Sequence, residues 1–399
     1  MVRANEARCG GVRAEAKRSL AWWKSLTGTS TAARTRLSVP GWPPRRGGGG
    51  DRAPAGAPSS LGGMAIRVAV VGAGTWGTTV AALASANAPT VLWSRRPELA
   101  ASMQATRRND TYLPGVVLPP GLPVTADLEQ AVALSDVVVM AVPSHGFRDV
   151  LTEAAAYVRS WVPVVSLAKG LEPGSLRRMS QVVAEVLPGH PVAVLTGPNL
   201  AHEILAGQPA ASVVATADTT VAQALQRLFT TPSLRIYTNA DVVGCEIAGV
   251  VKNVLAIAAG MAEGMGFGDN TKATLFTRGL AELTRLGVAL GGDHRTFAGL
   301  AGLGDLVATC SSASSRNHMV GVQLGQGRPI ESIVADMRQV AEGIKSSVSV
   351  LDLARGVGVD VPLCEQVVEV CHRGRPVAEA VAALMARELG AEVPAGSAS

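Results

Sequence analysis

A glycine-rich corner and a lysine inside an apolar helix are the two places where this sequence could do chemistry. The corner is Gly72-Ala73-Gly74-Thr75-Trp76-Gly77. It follows a β-branched run from Ile66 to Val71 and leads into an Ala-rich helical run. That order is the strand, turn and helix of a dinucleotide-binding unit. Gly72 permits the tight turn, Gly74 lets backbone approach a pyrophosphate, and Gly77 lets helix and strand pack closely. The helix start adds free N–H groups and a positive dipole end for phosphates. The lysine is Lys252, in Gly249-Val250-Val251-Lys252-Asn253-Val254. An ammonium in such a helix is costly unless it faces a polar cleft or snorkels to solvent. In a cleft, desolvation and neighbouring cations bring its pKa toward neutrality, as proton transfer to a carbonyl oxygen requires.

The elements that must position these groups divide the chain. From Met64, β-type runs alternate with helical ones, with strands expected at 66–71, 90–94, 136–142, 163–168, 192–196, 211–216 and 234–238. The rhythm predicts an α/β fold, a Rossmann-type doubly wound and mostly parallel sheet over residues 64–240. After Asn239 helical periods continue without a clear strand, at 241–262, 272–290, 330–338, 341–355, 362–371 and 375–388. An all-α second domain over 241–388 and a loose tail over 389–399 are expected. In an open α/β sheet, ligands sit beyond the C-terminal strand ends. Gly72–Gly77, Ser94-Arg95-Arg96, Pro143-Ser144-His145-Gly146-Phe147, Lys169-Gly170 and Gly197-Pro198-Asn199 fall there. NAD-selective sites put a carboxylate after strand two. Arg95 and Arg96 suit a 2′-phosphate instead, so NADP preference is expected, with a solvated arginine pair as the alternative.

The 399 residues carry a net charge of +5, but it is unevenly placed. Residues 1–63 hold 11 Lys/Arg and 3 Asp/Glu, a net of +8, which leaves 25 basic and 28 acidic residues, a net of −3, for the rest. The body therefore offers no bulk electrostatic case for nucleic acid. The leader is rich in Arg, Gly, Pro and Ser, so disorder is expected over 1–63. It lacks a secretory h-region. It reads either as a transit peptide or as sequence upstream of a true start at Met64, the favoured reading. Five cysteines without CxxC spacing and six scattered histidines give no metal site, and fit reduced thiols in a cytoplasmic protein. No uninterrupted apolar run reaches the length of a membrane span. The most apolar helix, Ile247 to Met265, contains Lys252 and Asn253 and reads as buried.

Residues 66–388 resemble the bacterial type of NAD(P)-dependent glycerol-3-phosphate dehydrogenase. The resemblance rests on VVGAGTWGT (71–79), VPSHGF (142–147), SLAKGLE (166–172), LTGPNLAHE (195–203), GVVKNVLAIAAGMAEGMGFGDNTKA (249–273), GLAGLGDLVATC (299–310), SSRN (314–317), GQG (325–327) and VAEG (340–343), all in family order. It implies reversible reduction of dihydroxyacetone phosphate to sn-glycerol 3-phosphate, the glycerophospholipid backbone. By position it implies Lys252 as the proton donor. Around the substrate it places Lys169, Gly197, Asn199, Asn253, Asp305, Thr309, Ser315, Arg316 and Asn317. Around NADP or NAD it places Gly72, Gly74, Thr75, Trp76, Gly77, Arg95, Arg96, Phe147, Lys169, Ala201, Arg316, Val340 and Glu342. On the residues alone, Lys169, Asp305 and Arg316 also read as a solvent-facing lysine, a helix cap and a loop arginine. His145 and His202 are read as loop and helix-face histidines outside the chemistry. Asn199 stands where the family often has a small hydroxyl residue, and the leader has no counterpart. A homodimer acting on a small-molecule substrate is expected. The alternatives are another β-hydroxyacid-type dehydrogenase of the same superfamily, or a non-catalytic NADP sensor.

Overall fold

The computed structural model describes residues 66–337 and 341–388. The leader 1–63, Val340 and the tail 389–399 lie outside these residues. The chain builds an eight-stranded sheet from β1 (Val68–Val71), β2 (Thr90–Trp93), β5 (Val124–Thr125), β6 (Val137–Met140), β7 (Val164–Ser166), β8 (Val192–Thr196), β9 (Ala210–Ala215) and β10 (Leu234–Asn239), and a small hairpin from β3 (Arg108–Asn109) and β4 (Leu113–Val117). The order across the large sheet is β10-β9-β8-β7-β6-β1-β2-β5. Every pair is parallel except β8–β9. Runs such as Val137-Val138-Val139-Met140 are wholly buried, as helices on both faces of a parallel sheet require.

The chain leaves β1 toward β2 and β5, then returns to β6 on the other side of β1. That reversal opens a crevice at the C-terminal ends of β1 and β6, where open α/β sheets bind ligands. The hairpin of β3 and β4 braces one wall. Asn109 Nδ2 donates to Ala73 O (2.9 Å) and to Thr78 Oγ1 (2.8 Å), and Thr75 Oγ1 donates to Tyr112 O (2.8 Å).

From Val242 onward the described residues are helical. The helix Val242–Gly264 starts at Asp241, whose carboxylate accepts from Gly244 N (2.7 Å). By length and composition it could cross a membrane, yet 83% of its apolar window is covered by the rest of the fold. The helix Arg316–Gly325 lies directly against it. A Cβ on Gly260 would stand 2.1 Å from His318 O, and one on Gly321 would stand 2.1 Å from Ile257 O. Only glycine allows this approach, and it sets the distance between the elements that carry Lys252 and Arg316. Gly260→Ala should therefore cost about 1–3 kcal/mol through overpacking. Urea unfolding would show this as a lower midpoint, and an unchanged midpoint would mean that the helices part without penalty.

A buried ion pair joins the sheet to this long helix. Glu246 accepts from Arg178 Nη1 (2.6 Å), Ser180 N (2.8 Å) and Ser180 Oγ (2.5 Å). It fixes the start of the long helix against the helix Met179–Val186, which packs on the sheet.

Candidate active site

Three segments converge beyond the strand ends. β7 runs into Lys169, the long helix presents Lys252, and a π-helical turn, Leu300–Gly304, feeds Asp305 at the start of the helix Asp305–Ser311. Such π turns concentrate at functional positions because they re-aim the residues that follow. Thr309, four residues on, shares Asp305's helix face. Gly249 lets the long helix press on Lys169, since a Cβ there would meet Lys169 Cγ at 3.3 Å and Thr196 Oγ1 at 3.4 Å.

Asp305, 1% exposed, bridges both lysines. Lys169 Nζ donates to Oδ2 (2.6 Å) and to Gly197 O (3.0 Å). Lys252 Nζ donates to Oδ1 (3.0 Å) and to Thr309 Oγ1 (2.6 Å), whose hydroxyl donates in turn to Oδ1 (3.2 Å). Burial pushes the Lys169 ammonium down to about 8, with Lys252 adding to the fall and Asp305 opposing it. Burial also pushes the Asp305 carboxyl up, but Lys169 and Lys252 outweigh it and hold the group below the usual carboxylate range. Glu342, half-buried, is pushed up by burial against the pull of Arg316, Lys252 and Lys169. The site thus gathers three cations around one firmly ionised carboxylate and one biased toward its proton. The positive excess suits a phosphate dianion and an oxygen that gains charge during reaction.

A chain of amides ties these parts together. Asn253 Nδ2 donates to Lys169 O (3.3 Å), Asn317 Nδ2 donates to Asn253 Oδ1 (3.0 Å), and Gly343 N donates to Asn317 Oδ1 (3.0 Å). Asn253 and Asn317, expected around the substrate, are thus each bonded to the protein through both the amide N–H and the oxygen. Ser315 is likewise engaged, its hydroxyl capping the helix that begins with Arg316 by accepting from His318 N (3.3 Å). Asn199 accepts the Ser212 hydroxyl, while its buried Nδ2 and the buried Thr196 hydroxyl have no partner. Gly197, with φ +119, turns its carbonyl to Lys169.

On the dinucleotide side, Gly72 has φ +120, and a Cβ there would lie 2.7 Å from Ala141 O. A Cβ on Gly77 would lie 2.0 Å from Gly72 O. At Gly74 it would point into open space, which leaves room for a bulky anion. The helix Thr75–Ala84 has neither a capping side chain nor an acidic residue in its first turn. The Trp76 indole N–H is buried without a partner. An uncapped positive helix end, free space and an orphaned donor fit a nicotinamide dinucleotide. Arg95 and Arg96 are exposed at the end of β2, with Arg96 5.2 Å from the Tyr112 ring centroid. Ala201 is buried at the start of its short helix, and His202 is exposed on it. Phe147 is one of the residues the resemblance places around the dinucleotide. It is fully buried in the core under the loop, so its ring seats that loop. Thr196 and Gly343 were not picked out from the sequence. Gly343 acts through its backbone N–H, for which a sequence carries no signal.

Two family models match this chain, the NAD-dependent glycerol-3-phosphate dehydrogenase N-terminus over residues 67–222 and the corresponding C-terminus over 241–382. The chain belongs to the NAD-dependent glycerol-3-phosphate dehydrogenase family. Among relatives, glycerol-3-phosphate dehydrogenase (NAD(P)+) 2 of Sphingopyxis alaskensis is 54% identical over 333 residues, spanning 84% of this chain and 100% of the relative. The Mycobacterium avium glycerol-3-phosphate dehydrogenase (NAD(P)+) is 50% identical over 328 residues, spanning 82% and 96%. The crystal structure of glycerol-3-phosphate dehydrogenase from Coxiella burnetii superimposes with a TM-score of 0.78 at 35% identity, covering 81% of this chain and 99% of that one. The Rossmann-type sheet followed by a helical half is thus the architecture of this dehydrogenase family.

Proposed function

We propose that this chain catalyses the reversible NAD(P)H-dependent reduction of dihydroxyacetone phosphate to sn-glycerol 3-phosphate. The observation that carries this reading is the bridge from buried Asp305 to Lys169 and Lys252, with Glu342 within electrostatic reach of both lysines and of Arg316. Bound NAD(P)H supplies the hydride. Lys252 donates the proton to the carbonyl oxygen in reduction and takes it back in oxidation, and Lys169 adds a second positive charge beside it. Asp305 and Thr309 hold Lys252 on line, while Arg316 holds the phosphate through its planar donors. The free Asn199 amide and Thr196 hydroxyl are suited to the substrate's terminal hydroxyl.

Finer readings belong to the same proposal. Arg95 and Arg96 favour NADP over NAD. The division into domains falls near residue 240, the working unit is a homodimer, and the enzyme serves glycerophospholipid synthesis in the cytoplasm. Because its ammonium has a pKa of about 8, Lys169 is charged below that pH and neutral above it. Reduction kcat/KM should therefore fall as pH rises through about 8; a flat profile from pH 7 to 9 would remove Lys169 from the reaction. Competing substrates separate this reading from other hydroxyacid dehydrogenases. Glycerol 3-phosphate oxidation should exceed that of 3-hydroxyisobutyrate or 6-phosphogluconate by at least tenfold, and the reverse order would overturn it.

A further inference from the structure

We propose that Lys345 grips a phosphate of the dinucleotide, closing from the helical half the rim that Arg95 forms on the sheet side. The inference rests on the dinucleotide reading above and adds a residue to it. Two backbone approaches and one against serine side chains bring the rim together. Gly72 N donates to Trp93 O (3.0 Å), which sets Arg95, two residues further on, beside the glycine corner. Ala141 O packs on Gly72, which sets the loop Ser144–Gly146 at the same corner. Gly170 sits between that loop and the helix Glu342–Gly356, because a Cβ there would lie 2.4 Å from Ser144 Oγ and 3.7 Å from Ser346 Oγ. His145 and Lys345 are the chain neighbours of those two serines.

Arg95, His145 and Lys345 are all exposed, and among the described residues none is ion-paired with a carboxylate. The imidazole of His145 is pushed below its ordinary value by partial burial, then by Lys345 and Arg95, so both cations bear on it. Like charges drawn to one rim repel one another unless an anion sits between them. The anion that the corner already suits is a pyrophosphate or a 2′-phosphate. Lys345 is carried on the first turn of its helix, and Gly343 in that turn is tied to Asn317. The ammonium is thereby held on the same frame as Arg316 and Lys252.

Calorimetric titration of the full chain with NADPH and with NADH, at low ionic strength, tests the assignment without relying on turnover. Lys345→Gln should weaken NADPH binding about 10-fold, as loss of a charge-assisted contact would, and Lys345→Arg should restore most of it. Loss confined to NADPH would place the contact on the 2′-phosphate, and equal loss for both on the pyrophosphate. If the parent protein binds neither nucleotide, the dinucleotide reading itself falls. If the parent binds NADPH and Lys345→Gln stays within twofold for both nucleotides, that reading stands and the Lys345 assignment is overturned. Because Lys345 is exposed, the thermal midpoint of Lys345→Gln should match the parent's.

Discussion

Replacing Lys252 by Ala should lower the turnover of dihydroxyacetone phosphate reduction by about 10²-fold or more, the usual consequence of removing a positioned acid–base group. The NADPH affinity should barely change, because the ammonium of Lys252 is engaged with Asp305 and Thr309. The substitution has a second consequence. Lys169 would keep Asp305 while losing the like charge that helps to depress it, so its pKa should rise above about 8. Residual activity should then break at higher pH than in the parent. Steady-state NADPH oxidation across pH 6.5–10 measures both effects. Turnover within threefold of the parent would take Lys252 out of the mechanism.

Arg316→Ala should act on the other end of the substrate. Charged hydrogen bonds contribute about 1.5–3 kcal/mol each, so losing the guanidinium should raise the KM for dihydroxyacetone phosphate roughly 10- to 100-fold. Lys at this position should recover only part of the loss, because a point charge cannot reproduce planar, paired donors. The effect should shrink for unphosphorylated dihydroxyacetone, which has no dianion to hold. An unchanged KM for the phosphorylated ketose would show that the phosphate is held elsewhere.

The residue types of the site were legible in the sequence, while their contacts were not. Lys252 stood out because an ammonium amid Gly, Val and Ala requires a reason. Its partner Asp305 lies 53 residues away, and only the fold brings them together. The same holds for the amide chain from Asn253 through Asn317 to Gly343, whose links span 64 and 26 residues. An aromatic such as Phe147 in a loop motif reads alike whether it lines a site or anchors it, and only the fold shows that its ring is fully buried in the core.

The seven expected strands all form, because Val- and Ala-rich runs between glycines have few other stable options in a buried sheet. β5 has two residues, too few to show a period, and β4 contains Pro114 and Gly115, which disguise it as a loop. The antiparallel setting of β9 against β8 was also invisible, since a buried strand has the same composition in either direction. The helix Arg316–Gly325 carries Gly321 and Gly325 and would be a poor helix alone. It forms against the glycines of the long helix, where close packing outweighs weak propensity.

The most direct test of the central claim is the loss of NADPH absorbance when the purified chain meets dihydroxyacetone phosphate, with the product analysed for configuration. Catalytic NADPH consumption that yields sn-glycerol 3-phosphate is the predicted result. A protein that binds NADPH, shown by calorimetry, yet consumes none with this substrate would contradict the claim that the Lys169–Asp305–Lys252 bridge is a ketose phosphate reductase centre.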